Sequence, residues 1–330
     1  MTVLWCGGED IDFIENTAGS IDQYSGESYR RVNYSRTSLR IGAGKSLYLS
    51  NTFTPVSNNI WFHCYMVHQS GACDTDSFPF GLRNSVTGDA IGFGFNDLDY
   101  FSIGKKTSDG TVTWFVSDSF ERLIPLSLFS VDIHVETYGL SGSMHFYIDG
   151  NLILTYSGDI TVGSTTEFDQ IQLGYINLAS WGTYISEIIV ADEDTRLMSL
   201  KTLAPNAAGD VNQWENDYDS IDEVEISDAD TVYTDTVEED AQFNLTGMPT
   251  GDFICKAVKV TARVSDGVGG IGMQMGIKTN SALHFGDTNE LEGSWETIEE
   301  LYTQNPETLN RFTPAEIEAL QIAFRSKSTA

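Results

Sequence analysis

Apolar and polar residues alternate through the first two hundred positions. The clearest run sets Phe129, Val131, Ile133 and Val135 against Ser130, Asp132, His134 and Glu136. Beyond Gly139 and Gly142, Met144, Phe146 and Ile148 alternate with His145, Tyr147 and Asp149. A period of two marks a half-buried strand, and Asp149-Gly150 predicts a tight hairpin turn into Leu152-Ile153-Leu154. If Ile133 pairs with Phe146, His134 lies opposite His145 on the outer face; a one-step slip sets it beside Tyr147 instead. Shorter alternations fall at Ser38–Ile41, Ser46–Leu49, Ile91–Phe95, Asp99–Ile103 and Thr111–Val116, and the aromatic run Ile60–Val67 reads as a central strand. No helical period of useful length interrupts them. The expectation is an all-β sandwich, not a parallel sheet.

The pattern changes after residue 202. Leu203–Asp210 (Leu-Ala-Pro-Asn-Ala-Ala-Gly-Asp) has the Pro, Gly and small residues of a linker. This predicts a first domain over 1–202, a linker over 203–210, and a smaller β domain over 211–330. Strand-like runs resume at Ala241–Leu245, Phe253–Val264 and Gly270–Lys278. Thr313-Pro314-Ala315-Glu316 forms a capping box with Pro at the first helical position. Ile317, Leu320 and Phe324 then share one stripe, predicting a terminal helix over 314–326.

Charge narrows the function. The 330 residues carry 18 Lys and Arg against 48 Asp and Glu, a formal net charge of −30. Binding to nucleic acid or to an anionic membrane draws on phosphate neutralisation by cations, so both are excluded as partners. No apolar run approaches the about 20 residues that cross a bilayer, and the first residues show no Sec signal. Residues 215–240 hold twelve acids, and no Lys or Arg occurs from Thr202 to Cys255. That run reads as a solvated face or a match for a basic partner. Cys6, Cys64, Cys73 and Cys255 lack paired spacing and are expected as free thiols, with no zinc site.

Candidate chemistry is thin. Asp10-Ile11-Asp12-Phe13-Ile14-Glu15 resembles the Glu-x-Asp-x-x-Glu signature of laminarinase-type glycosidases, whose two carboxylates flank the scissile bond. It opens on Asp instead of Glu and sits ten residues into the chain, so an acidic first strand is the expected reading. Asn96-Asp97-Leu98-Asp99 and Ser227-Asp228-Ala229-Asp230 offer oxygen ligands for Ca²⁺ but lack EF-hand spacing. The expectation is no cofactor and no metal. Gly92-Phe93-Gly94 and Gly269-Gly270-Ile271-Gly272 read as strand or bulge glycines, since no helix follows to present a phosphate site. Trp181, Tyr184 and Trp214 are the aromatics singled out for stacking on sugars.

Phe129–Tyr156, with its Tyr147-Ile148-Asp149-Gly150 turn, resembles the hairpin of concanavalin A-like (LamG-type) jelly rolls. Trp181 to Arg196 is similar to the closing strand of such domains in tailed-bacteriophage structural proteins, as are Leu203-Ala204-Pro205, Gln213-Trp214 and the Thr-Pro-Ala-Glu helix. The resemblance implies a lectin-like jelly roll followed by a smaller β-sandwich domain ending in one α-helix. It implies a non-enzymatic virion surface protein, a capsid decoration or spike or a tail accessory, contacting host-surface glycans and other virion proteins as a homo-oligomer. The location implied is the virion exterior, after assembly in the host cytoplasm. The absence of a long heptad or repeat region fits a compact accessory better than a fibre shaft. A polysaccharide-cleaving or sugar-binding protein of the laminarinase and lectin class is the alternative.

Overall fold

A computed structural model describes residues 3–7, 13–15, 22–24, 34, 38–41, 47–49, 53–68, 77–96, 100–122, 127–173, 183–223, 227–246, 253–266, 270–291 and 293–329. Contacts divide the chain into two compact units, Met1–Leu200 and Lys201–Ala330. Among the described residues, no helix is long and apolar enough to cross a membrane.

The first unit opens with the short strands β1 (Val3–Gly7), β2 (Phe13–Glu15), β3 (Asp22–Tyr24), β4 (Ser38–Ile41) and β5 (Leu47–Leu49). Longer ones follow: β6 (Asn58–His68), β7 (Ser77–Arg83), β8 (Ala90–Phe95), β9 (Tyr100–Lys106) and β10 (Val112–Arg122). The unit ends with β11 (Leu128–Thr137), β12 (Gly142–Ile148), β13 (Asn151–Gly158), β14 (Gln170–Leu173) and β15 (Thr183–Ala191). Sheet I runs β13-β12-β11-β6-β15-β4-β3, with β1 also on β15; sheet II runs β10-β9-β8-β7-β14-β5-β2. Every pairing is antiparallel, and chain neighbours repeatedly land in different sheets, so the unit is a concanavalin A-like jelly-roll sandwich.

The core is aromatic and joins the two sheets. Phe62 of sheet I stacks on Phe80 of sheet II at 3.6 Å between ring centroids. Phe146 lies 5.1 Å from Phe93 and 5.5 Å from Phe101 in the same way. All the inward residues expected on β11 and β12 are buried except Ile148, which is half-buried against the core. The hairpin turn is as the sequence implies. Asp149 and Gly150 both take positive φ, +47° and +74°, the type I′ arrangement that matches strand twist. Asp149 also accepts the Ser130 N–H at 2.9 Å, tying the turn to β11.

The second unit contains β16 (Pro205–Asn212), β17 (Asp240–Leu245), β18 (Val258–Val264), β19 (Ile271–Thr279), β20 (Ala282–Asn289), β21 (Glu296–Tyr302), α1 (Pro314–Glu318) and β22 (Gln321–Ser328). The sheet β16-β17-β22-β19-β20 and the pair β18-β21 share one core that includes Phe243, Met275, Ile277, Val260, Ile298 and Phe324.

Two expectations are corrected here. The expected linker over 203–210 is largely strand β16, paired with β17 from Pro205↔Leu245 onward. It is an edge strand, where a first-position Pro costs no ladder bond, and a Cβ on Gly209 would meet the Gln242 carbonyl carbon at 2.6 Å. The expected helix over 314–326 is five residues long and Gln321–Ser328 is strand. The capping box forms as read, with the Thr313 N–H donating to Glu316 at 2.7 Å and the Glu316 N–H to the Thr313 hydroxyl at 3.3 Å. Beyond it, β22 pairs along its length with β17 and β19, and bonding on both edges outweighs the weak helical preference of a short segment. Ile317, Leu320 and Phe324 are all buried, but Phe324 reaches the core from a strand.

Candidate functional site

The outer face of sheet I carries the predicted histidine pair. His134 lies opposite His145 in the ladder, with ring centroids 5.6 Å apart. The pair belongs to a longer stack. Trp61 lies 4.1 Å from His134, nearly parallel at 9°, and 5.7 Å from Tyr147. The Arg196 guanidinium caps the other side, 4.7 Å from the Tyr147 ring and 5.4 Å from Trp61, while it forks onto Asp194. Asn59, in a left-handed backbone at φ +50°, contacts His134 Nε2 at 3.2 Å and donates to the Asp192 carbonyl at 2.6 Å. His145 is held by Thr155 at 2.9 Å, with Glu136 at 3.5 Å. Burial, aided by the neighbouring His145, pushes the His134 pKa down to about 4.

Deeper on the same face, the Thr195 hydroxyl and the His63 ring meet one oxygen of Asp132, at 2.6 Å and 2.9 Å. All three side chains are buried, which leaves no entry for a substrate and makes this a structural pin. It fixes the chain after β15 across the sheet and sets the next residue, Arg196, over its rings. The stack is therefore closed by the protein itself. Tyr184, one of the residues expected to meet sugars, is 3% exposed on β15 and presents no free ring face.

The outer face of sheet II is built differently. Register aligns Tyr48, Gln172, Gly81, Gly92, Gly104 and Trp114 in one row across β5, β14, β7, β8, β9 and β10. The next row is Gln170, Arg83, Ala90, Lys106 and Val112. In the first row the three middle strands carry only glycine, all three buried; in the second, Arg83 and Lys106 flank the buried Ala90. Two rings rest on parts of that first row. A Cβ on Gly81 would lie 2.7 Å from the Phe78 ring and one on Gly104 2.8 Å from the Trp114 ring, and these two rings stack at 6.1 Å. Any larger residue at Gly81 or Gly104 would displace them.

The polar groups on this face are amides and cations. Arg83 donates to the Gln170 side-chain oxygen. Gln172 is 6% exposed, and its amide makes no hydrogen bond to the described residues. Lys106 likewise has no ion-pair or hydrogen-bond partner there; burial, then the nearby Arg83 charge, lowers its pKa. Asp89 and Asp169, the carboxylates bracketing these strands, are engaged elsewhere. Asp89 accepts Ser108 N–H and Thr165 hydroxyl, both at 3.0 Å, and Asp169 accepts Ser85 N–H and hydroxyl at 2.7 and 2.5 Å.

The remaining sequence candidates that fall among the described residues do not converge on a site. Trp214 donates its indole N–H to the Glu239 carbonyl at 3.0 Å and packs by Phe324 at 6.3 Å in the second core. Trp181 lies outside the described residues, as do Asp10, Asp12 and Cys73; of Glu15 only the backbone is described. Asp97 and Asp99 fall outside too, while Asp228 is forked onto Arg263 at 2.6 and 3.0 Å. Among the described residues no three His, Cys, Asp or Glu side chains group as metal ligands. Cys6, Cys64 and Cys255 are free thiols. The sheet II face was missed because its glycines read only as strand punctuation. The available signal was Gln170-Ile171-Gln172-Leu173, two amides in alternation beside buried apolar partners.

No family model matches the chain, and no curated protein does. Solved structures are similar to part of the chain. The botulinum neurotoxin type G receptor binding domain is similar over 58% of this chain and 47% of its own, at 7% identity and a TM-score of 0.38. The chain thus spans about half the length of that domain. Endo-β-1,4-glucuronan lyase from the fungus Trichoderma reesei is similar over 58% of this chain and 95% of its own, at 9% identity and a TM-score of 0.40. A carbohydrate-binding module from Bacillus subtilis is similar over 52% and 91%, at 8% identity and a TM-score of 0.35.

Proposed function

We propose that this chain is a non-catalytic glycan-binding protein on the exterior of a tailed-phage virion, as a capsid decoration or spike or as a tail accessory. The observation that carries the glycan reading is the outer face of sheet II, which carries the Gln172 amide, without a hydrogen-bond partner among the described residues, and the half-buried Trp114 ring in one row. Sugars offer hydroxyls to such an amide and apolar ring faces to Trp114. The virion reading is supported by the resemblance of Trp181–Arg196 to phage structural proteins and by the acidic run 215–240, which would be repelled by packaged DNA.

Three measurements test it. Binding of the full chain to a glycan array should be present and should fall in Gln172→Ala and Trp114→Ala; an array with no hits overturns the glycan reading. Release of shortened glycan by the wild-type protein would overturn the non-catalytic part. Mass spectrometry of purified particles should find the protein in a fixed ratio to capsid or tail protein, and its absence would overturn the virion part.

A further inference from the structure

We infer that a ridge formed by Leu152, Tyr147 and Leu197 on the outer face of sheet I is the surface by which the chain docks on another virion protein, one that offers an apolar pocket rimmed by Lys and Arg. This rests on the virion reading above and names the surface and the chemistry of its partner.

Leu197 is 98% exposed, more than any other large apolar side chain among the described residues, and Leu152 is 54% exposed. Exposure alone would mean little, but both leucines are carried by turns that are fixed on each side. Thr195 is tied to the buried Asp132, and the Met198 N–H closes the turn on the Thr195 carbonyl at 2.8 Å. Arg196 is held by its fork onto Asp194 and by its own N–H, which donates to the same carboxylate at 3.0 Å. Leu197 occupies the third position of that turn. Leu152 follows the Asp149-Gly150 turn and stands directly across the ladder from Tyr147, whose ring lies 4.7 Å from the Arg196 guanidinium. The three side chains therefore form one ridge with Tyr147 in its middle. A ridge already ordered gives up little freedom on association, so its contacts are kept as affinity.

The shape and charge of the ridge select its occupant. Protruding apolar side chains need a partner that supplies the hollow, which a protein surface does and a glycan chain does not. Segments 147–152 and 192–197 carry Asp149, Asp192, Glu193 and Asp194 against the single cation Arg196. That rim repels an anionic membrane. It also repels a second copy, which would bring the same carboxylates face to face in a two-fold contact. It matches Lys and Arg around an apolar pocket, with the leucines in the desolvated centre and the charges at the edge.

The test uses purified particles in which a photo-crosslinking benzoylphenylalanine replaces Leu197, Leu152 or, as a control at the other end of β12, Leu140, which is 75% exposed. Positions 197 and 152 should crosslink to the same second virion protein, at a site with Lys or Arg beside apolar residues, and position 140 should not. Leu197→Asp should lower the number of copies per particle about tenfold or more, while the melting temperature of the free chain stays at the wild-type value, because the side chain is solvated there. Leu197→Met should keep normal incorporation. Particles that contain the chain, yet give crosslinks from 197 and 152 only to another copy, to the chain's own second unit, to lipid or to glycan, or give none, overturn the inference and leave the virion reading standing. Normal incorporation of Leu197→Asp overturns it too. Absence of the wild-type chain from the particles overturns the virion reading, and the inference with it.

Discussion

Thr195 donates its hydroxyl to Asp132 at 2.6 Å across 63 residues of chain, inside a fully buried site on the outer face of sheet I. His63 meets the same oxygen, and the second oxygen of Asp132 has no partner among the described residues. Such a pin is costly to break from one side, because a buried carboxylate is left short of donors. Thr195→Ala should lose about 1–3 kcal/mol in urea unfolding, whereas Thr195→Ser should lose much less. Equal losses would mean that the methyl packing, not the hydroxyl, holds the segment.

Phe146 and its neighbour Tyr147 separate the two faces of one strand. Phe146 sits among Phe93 and Phe101 in the core, so Phe146→Ala should cost about 3–5 kcal/mol. Tyr147 lies between Trp61 and Arg196 outside it, and Tyr147→Ala should cost about 1 kcal/mol. Comparable losses in chemical denaturation would show that the face assignment of β12 is wrong.

The His134 pKa falls from 6.5 to about 4 on folding, so between those values the unfolded chain binds the proton more readily. Stability contributed by the neutral ring is complete above pH 6.5 and declines as pH falls from there to about 4. The facing groups are His145, Glu136, Asp194 and Arg196; of these, Glu136 and Asp194 have lowered pKa values and lose their own contributions further down the scale. His134→Gln should flatten the stability profile across this window while leaving it unchanged below. A wild-type profile flat from pH 6.5 to 4 would contradict the burial argument.

At the second unit, the Thr313 cap closes a helix of five residues, too short to persist without it. Thr313→Ala should lower stability by about 1 kcal/mol, and Thr313→Asp should retain most of it. Calorimetric melting of the full chain reads this as a shift of the second unit's transition.

How much of this was legible follows from where each signal is encoded. The β11–β12 register is written locally, since Ile133 and Phe146 must both face inward and Asp149-Gly150 fixes the turn; His134 opposite His145 then follows. The capping box is equally local. The spacing of Ile317, Leu320 and Phe324 fits a helix as well as a helix followed by a strand, and only the pairing of β22 with β17 and β19 decides. The small residues of 203–210 likewise suit an edge strand as well as a linker. Closure of the Trp61 stack by Arg196 depends on Thr195 reaching Asp132, a contact with no local signature. The sheet II face brings Gly81, Gly92, Gly104 and Gln172 from four strands into one row, which no window of sequence contains.

The position of β22 bears on how the polypeptide matures. It fills the slot between β17 and β19, both made earlier by the ribosome. Until Gln321–Ser328 emerges, the nascent sheet has two facing rows of unpaired N–H and C=O groups, open to a strand from any neighbouring chain. β15 stands in the same relation to β6, β4 and β1 in the first unit. Each unit is therefore completed by a late insertion into its middle, and crowded synthesis exposes that gap to exchange between copies before the native strand arrives.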